Sequence, residues 1–338
     1  MLEHGGQLRA AAARHGIPLA EWLDLSTGIN PVPWPVPALS PAAWHRLPEA
    51  EDGLEAAAAR YYGNANLLPV AGSQAAIQLL PRLFPPAMVA CLSPLYSEHP
   101  QAWSRAGHRP RFLQQAPLAR ALAAATPYVL LCNPNNPTGE CRPREQLVDA
   151  AAQLRKRGGW LIVDEAFVDP RPELSVTALA GTAEAPNLVV LRSLGKFFGL
   201  AGARLGFVFA APDLLARLAD LLGPWPVAGP AREAGRLALA DVGWQTASRD
   251  CLAAAGRRLG ELLAPLGPVA ATPLFAALTC DRAAELHEFL ARRGILVRRF
   301  DQLPLLRLGL PGPEGDWQRL AAALADWRSA CDSPSPSS

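Results

Sequence analysis

Four short apolar runs, Met88 to Leu92, Tyr128 to Cys132, Trp160 to Val163 and Asn187 to Leu191, recur along the middle of the chain with helix-like segments between them. Strands that alternate with helices need crossover connections, and crossovers build a mostly parallel sheet with helices on its faces. Arg144 to Arg157 reads as one amphipathic crossover helix, stopped by Gly158-Gly159. Leu205 to Phe209 adds a further strand, for which antiparallel pairing is open. The pattern therefore predicts an α/β fold.

The flanks divide the chain further. Pro33, Pro35, Pro37 and Pro41 argue against regular structure near the start, so residues 1–41 read as an irregular arm expected to join the small domain and the active site. A helix is expected from Leu54 to Tyr62 with Gly63 at its end, and another from Ser73 through Leu83. These elements and the four strands make a large domain, 42–235. An alanine- and leucine-rich helix is expected from Pro230 to about Leu263. Beyond it Phe275 to Cys280, Ile295 to Phe300 and Leu305 to Leu310 read as strands between helices, giving a small α+β domain, 236–332. The polar tail 333–338 is expected to be disordered.

Charge and cysteine usage narrow the partners. Lys+Arg 32 against Asp+Glu 30 leaves a net charge of +2, which offers no basic field for nucleic acid. A small molecule is the expected partner. The six cysteines lie far apart without a C-x-x-C pair, so neither a zinc site nor a disulfide framework is indicated, and buried thiols in a reducing cytosol fit better. No leader opens the sequence and no apolar run reaches the roughly 20 residues needed to span a bilayer. The expected location is cytoplasmic, with no membrane contact.

The chemistry-bearing positions fall at strand ends or at a helix start, where open α/β sheets place ligands. Lys196 follows the strand ending at Leu191, with Ser193 three residues before it and Arg204 eight after. A lysine amine forms a Schiff base with an aldehyde, and the hydroxyl and guanidinium can hold an anion beside it. Ser-x-x-Lys also marks nucleophiles in penicillin-binding enzymes, so confirmation must come from elsewhere. Gly72-Ser73-Gln74 offers backbone N–H groups and a hydroxyl at a helix start, either a phosphate cradle or an ordinary cap. Asn136 lies in a Pro- and Gly-fixed turn, where it can reach a ring oxygen. Asp164 ends a strand, where a carboxylate can keep a pyridinium nitrogen protonated or simply face solvent. Tyr96 can stack on a ring or fill a half-buried corner. Arg307 is an arginine in an apolar strand, suited to a substrate carboxylate or to an internal ion pair.

Taken in order, Gly72-Ser73-Gln74, Tyr96, Asn136-Pro-Thr-Gly139, Asp164-Glu-Ala166, Ser193-x-x-Lys196 and Arg204 resemble fold-type I pyridoxal-phosphate enzymes of the histidinol-phosphate aminotransferase branch. His4-Gly5-Gly6, Ser193-Leu-Gly-Lys-Phe197 and Asp164-Glu-Ala-Phe167 look most like that branch's threonine-phosphate decarboxylase group, which serves cobalamin biosynthesis. The resemblance implies a seven-stranded-type sheet flanked by helices, a homodimer, and pyridoxal 5'-phosphate as cofactor. It implies Lys196 as the covalent anchor, Asp164 at the ring nitrogen, Asn136 at the phenolic oxygen and Tyr96 on the ring face. Gly72, Ser73, Gln74, Ser193 and Arg204 would hold the cofactor phosphate. Arg307 would hold the carboxylate of a phosphorylated amino acid, and His4, Gly5, Asn30 and Arg298 its phosphate. Related aminotransferases carry tyrosine at the positions of Phe167 and Leu47, and often asparagine at that of Ala228. An aminotransferase acting on histidinol phosphate is the rival reading. A non-catalytic regulator is a further one, for which the N-terminal stretch offers no room for a DNA-binding domain.

Overall fold

The computed structural model describes residues 4–332, so the tail 333–338 lies outside the described residues. The chain packs as two compact units. One is Pro33–Arg249; the other joins the described N-terminal residues, 4–32, to residues 250–332. In chain order the strands begin with β1 (Leu23–Leu25), β2 (Leu67–Val70), β3 (Met88–Ser93) and β4 (Arg109–Gln114). Next come β5 (Tyr128–Cys132), β6 (Trp160–Asp164), β7 (Leu188–Ser193) and β8 (Gly206–Phe209). The last four are β9 (Val269–Ala271), β10 (Phe275–Thr279), β11 (Ile295–Phe300) and β12 (Leu305–Gly309).

The larger unit is built on a seven-stranded sheet of order β2-β8-β7-β6-β5-β3-β4. β4, β3, β5, β6 and β7 pair in parallel, each with its neighbour in that order, whereas β8 runs antiparallel to both its neighbours, β7 and β2. β5 and β7 are buried along their whole length, as strands covered on both faces must be, and this is why they read as unbroken apolar runs. The sequence pattern misses both edge strands because each contains a proline, Pro69 in β2 and Pro110 in β4; edges tolerate the lost donor.

The expected domain borders at 41 and 235 move to 32 and 249. Trp34 donates its backbone N–H to the Phe198 carbonyl (2.9 Å) and its indole N–H to Asp241 (3.0 Å), which draws the proline-rich stretch into the larger unit. Trp244 stacks on Phe198 at 5.6 Å and 16° and holds the start of the next helix there. The single helix expected from Pro230 to Leu263 is two, Gly229–Ala240 and Val242–Leu263, because Asp241 leaves helical geometry and its carboxylate accepts the Trp244 N–H at 3.0 Å.

The smaller unit carries a five-stranded sheet of order β1-β11-β12-β10-β9. Its N-terminal part is not irregular: residues Leu8–His15 form a helix closed by Gly16 at φ 66°, and β1 pairs in parallel with β11. Here the prolines stand after the regular elements and leave them intact. The thiols also depart from expectation, since Cys91 and Cys132 are buried but Cys251 and Cys331 are exposed. No helix among the described residues is long and apolar enough to cross a membrane.

Candidate active site

In the larger unit the topology gathers the chemistry-bearing residues at one rim of the sheet. β3, β5, β6 and β7 are co-directional, so Tyr96, Asn136, Asp164 and Lys196 all lie just past, or at, their C-terminal ends. β8 runs the other way, which returns its first residue to the same rim: Gly206 pairs with Ser193, and also with Val70 two residues before Gly72.

Lys196 is half-buried, followed by Phe197 and Phe198, both fully buried. Burial of the two rings fixes the backbone that carries the amine. Its Nζ lies 5.4 Å from the centroid of the Phe167 ring, so an apolar face, with no hydroxyl, lies beside the ammonium. Asp164 is 6% exposed. One oxygen accepts the Ala166 N–H at 2.9 Å and the other lies 2.8 Å from His99 Nε2. A carboxylate oxygen accepts, so the proton of this bond sits on His99 Nε2. His99, Cys132 and Asp164 hold potential metal ligands within 4.8 Å of one another. Burial, and then Asp164, push the Cys132 thiol well above its ordinary value, so beside Asp164 it stands as a neutral thiol. The trio is the bed of Asp164.

Tyr96 lies edge-on to His99, ring centroids 6.1 Å apart, and donates its hydroxyl to Gln74 Oε1 at 3.3 Å. Burial, with Glu98 and Asp164 nearby, pushes its phenol up to about 12. The Gln74 side chain is thereby placed with Tyr96 and with Glu98 (3.0 Å), so toward a phosphate it would offer its backbone N–H rather than its amide group. Asn136 sits in a turn held by Asn133 and Asn135: Asn133 Oδ1 accepts the Arg142 N–H (2.8 Å), and Asn135 Nδ2 donates to the Pro94 carbonyl (2.8 Å) and to Thr138 Oγ1 (2.7 Å).

Gly72, Ser73, Ser193 and Arg204 form a cradle. Gly72 has φ 71°, and a Cβ there would lie 2.4 Å from Arg204 Nη2. Only glycine lets the guanidinium lie against that backbone. Arg204 itself takes the left-handed conformation, φ 51° and ψ 53°, and donates to the Ala201 carbonyl at 3.1 Å. Such a conformation costs a non-glycine residue about 1–2 kcal/mol and aims the side chain back at Gly72. A Cβ at Gly206 would meet the Ser73 nitrogen at 2.7 Å, which makes a second close approach.

Sequence reasoning passed over His99 and the pillar beneath it. Arg192 is 3% exposed and binds Glu165 (2.9 Å) and Asp169 (2.5 Å), while Ser175 and Thr177 donate to Glu165 and Tyr61 donates to Asp169. Burial alone would lower the Arg192 pKa; Asp169 and Glu165 outweigh it and raise it. The pillar clamps the chain on both sides of the rim, one residue after Asp164 and one before Ser193. The signal for His99 was its place three residues after Tyr96.

The smaller unit brings together a second set. Arg307 on β12 is 7% exposed, donates to the Ser26 carbonyl at 3.0 Å and lies 5.4 Å from the Phe275 ring centroid. Arg298 on β11 stands directly opposite it in register. Like charges opposed across strands repel, and an anion relieves the repulsion. Gly5 crosses Ser26 so closely that a Cβ would lie 2.3 Å from the Ser26 carbonyl, and the Gly6 N–H donates to Ser26 Oγ at 2.7 Å. His4 is carried beside them. Asn30 is buried and accepts the Val32 N–H at 2.9 Å, an Asx turn that spends one of its oxygen lone pairs.

The residues of the larger unit fit pyridoxal phosphate: an amine on a rigid strand end, a buried carboxylate held by a histidine, and a cradle kept open by a missing Cβ. The chain matches the family described as aminotransferase class I and II over residues 24–324. It is 52% identical over 330 residues to the threonine-phosphate decarboxylase of Pseudomonas aeruginosa, covering 97% of this chain and 98% of that one. A threonine-phosphate decarboxylase of Sinorhizobium sp is 45% identical, over 95% and 97% of the two chains. Among solved structures, histidinol-phosphate aminotransferase from Sinorhizobium meliloti in complex with pyridoxal-5'-phosphate superposes with a TM-score of 0.83 at 23% identity, covering 96% of this chain and 95% of that one. L-threonine-O-3-phosphate decarboxylase from Porphyromonas gingivalis gives 0.74 at 21%, covering 90% and 99%; at these identities both show the fold. The chain belongs to the class I and II aminotransferase family and, within it, sits with the threonine-phosphate decarboxylases.

Proposed function

We propose that this protein decarboxylates L-threonine O-3-phosphate, giving (R)-1-aminopropan-2-yl phosphate and carbon dioxide for the aminopropanol arm of cobalamin. The observation that carries the reading is full-length identity of 52% and 45% to threonine-phosphate decarboxylases. Pyridoxal phosphate, when bound, would supply an electron sink for the pair released at the substrate Cα. Lys196 would hold the group through Nζ. Asp164, oriented by His99 Nε2–H, would keep the ring nitrogen protonated. Tyr96 would cover a ring face, and Asn136 would donate to the phenolic oxygen. Ser73, Ser193, Arg204 and the backbone at Gly72 and Gln74 hold the cofactor phosphate.

Arg307 grips the substrate carboxylate, and His4, Gly5, Asn30 and Arg298 its phosphate. Two anchored ends fix the rotation about the amine, so these residues select the bond to carboxylate over the bond to hydrogen. Lys196 then delivers a proton to Cα. Phe167 contributes an apolar face where the related aminotransferases carry a phenol.

The protein works as a cytoplasmic homodimer. Trp44, Leu47 and Trp225, exposed at 68, 62 and 55%, open onto one apolar groove of the larger unit; a patch of this kind is covered in a working protein. Incubating holoenzyme with threonine phosphate is expected to release carbon dioxide in step with substrate loss. Amino-group transfer to 2-oxoglutarate without gas release would overturn the assignment in favour of the aminotransferase.

A further inference from the structure

Glu98 is a buried acid, 9% exposed, with no part in the mechanism above. It opens the helix Glu98–Arg105, where the N–H groups of the first turn favour a negative charge. Its neighbour His99 turns to Asp164 (2.8 Å), whereas Glu98 turns to the helix Ser73–Leu79. There Gln74 Nε2 and Gln78 Nε2 both donate to Glu98 Oε2 at 3.0 Å. Burying a carboxyl group is costly unless its oxygens accept hydrogen bonds, and two converging amides offset that cost.

The bond to Gln74 does more than staple two helices. An amide has one donor end and one acceptor end. With Nε2 turned to Glu98, Oε1 is turned away from it and accepts the Tyr96 hydroxyl at 3.3 Å. Were the amide reversed, its oxygen would face the Glu98 oxygen, acceptor against acceptor. Glu98 therefore sets the direction of the chain: Tyr96 O–H donates to Gln74, and Gln74 N–H to Glu98. At its other end the Tyr96 carbonyl accepts the His99 N–H at 3.1 Å, so the ring is tied at both ends to one helical turn.

We propose that Glu98 is a positioning residue for the cofactor: acting through Gln74, it holds the Tyr96 ring in the orientation in which it would cover a face of pyridoxal phosphate. The inference rests on the reading of Tyr96 as the ring cover and adds the residue that aims it. One turn of helix thus orients two separate contacts, Tyr96 through Glu98 and Asp164 through His99.

A double-mutant cycle tests this on cofactor affinity, by fluorescence titration of each apoprotein with pyridoxal phosphate. Glu98→Leu is expected to weaken affinity about fivefold, the effect of roughly one hydrogen bond. Tyr96→Phe, which cuts the chain at its other end, is expected to weaken it by a similar factor, and the double variant by no more than either alone. Glu98→Gln, which still offers an oxygen to the amides, is expected to restore affinity to within about twofold of wild type. Gln78→Leu breaks the staple but not the chain, and is expected to leave affinity unchanged. Should Glu98→Leu fail to fold, Gln74→Leu, which keeps the backbone N–H of the cradle, takes its place in the cycle. Losses that multiply in the double variant, equal losses in Glu98→Leu and Gln78→Leu, or undiminished affinity in Glu98→Leu overturn the proposal. Tyr96→Ala separates it from the reading beneath: undiminished affinity there removes Tyr96 from the ring and overturns both, whereas a loss there without one in Glu98→Leu overturns the proposal alone.

Discussion

His99 Nε2 stands 2.8 Å from Asp164 Oδ2, both side chains buried, and the bond fixes which way the carboxylate presents its remaining lone pairs. A hydrogen bond to a charged group contributes about 1.5–3 kcal/mol. His99→Phe, which keeps a ring in place but removes the donor, is expected to lower turnover about 10- to 100-fold. It should also shift the visible absorbance of the bound cofactor toward that of an unprotonated ring nitrogen. Wild-type absorbance with unimpaired turnover would remove His99 from the site.

Lys196→Ala is expected to yield colourless protein that borohydride cannot label, with turnover lower on the order of a thousandfold or more. Mass spectrometry of wild type reduced after addition of pyridoxal phosphate should place the adduct on Lys196.

Gly72→Ala puts a Cβ 2.4 Å from Arg204 Nη2 at a left-handed φ of 71°. Backbone strain of about 1–3 kcal/mol falls on the fold, and displacement of the guanidinium predicts cofactor affinity weaker by about tenfold or more, read by fluorescence titration of the apoprotein. Melting of the apoprotein should fall by the backbone strain alone, and melting of the holoenzyme by more, since it also loses part of the stabilisation from bound cofactor.

Arg192→Ala leaves Glu165 and Asp169 buried without their cation. Removing one partner from a buried ion pair costs about 3–5 kcal/mol, so urea denaturation should show a large loss of stability. Arg192→Lys should recover part of it, since one ammonium cannot fork to both acids.

Burial pushes the Cys91 thiol up to about 12. Its folded pKa lies above its unfolded one, so its contribution to stability is complete below about pH 8.5 and is lost as pH rises toward 12. At pH 8 iodoacetamide should modify the exposed Cys251 and Cys331 while sparing Cys91 and Cys132 until the protein unfolds. Peptide mapping of the labelled thiols checks the order.

Where residues declare both their structure and their chemistry, the sequence is legible. β5 and β7 announce themselves because strands buried on both faces are apolar throughout, and Lys196, Asp164 and Asn136 because each follows such a run. β2 and β4 stay hidden because edge strands need no continuous donors and so admit Pro69 and Pro110. His99 stays hidden because a histidine on a mixed helix carries no periodic signal; only the fold brings it to Asp164. Arg192 is read as part of the strand end, since its two acids come from a loop that no local pattern places beneath it.

The reversed direction of β8 has a consequence for how such a site can vary. Leu194 donates to the Leu205 carbonyl at 3.1 Å, closing the base of the excursion that carries both Lys196 and Arg204. Lys196 and Arg204, which we propose as covalent tether and phosphate clamp, are thus two points on one short hairpin, spaced like jaws on a common hinge. Lengthening any other loop of the rim would leave this pair in place; inserting residues into this one would pull apart the two ends by which, on our proposal, the cofactor is held.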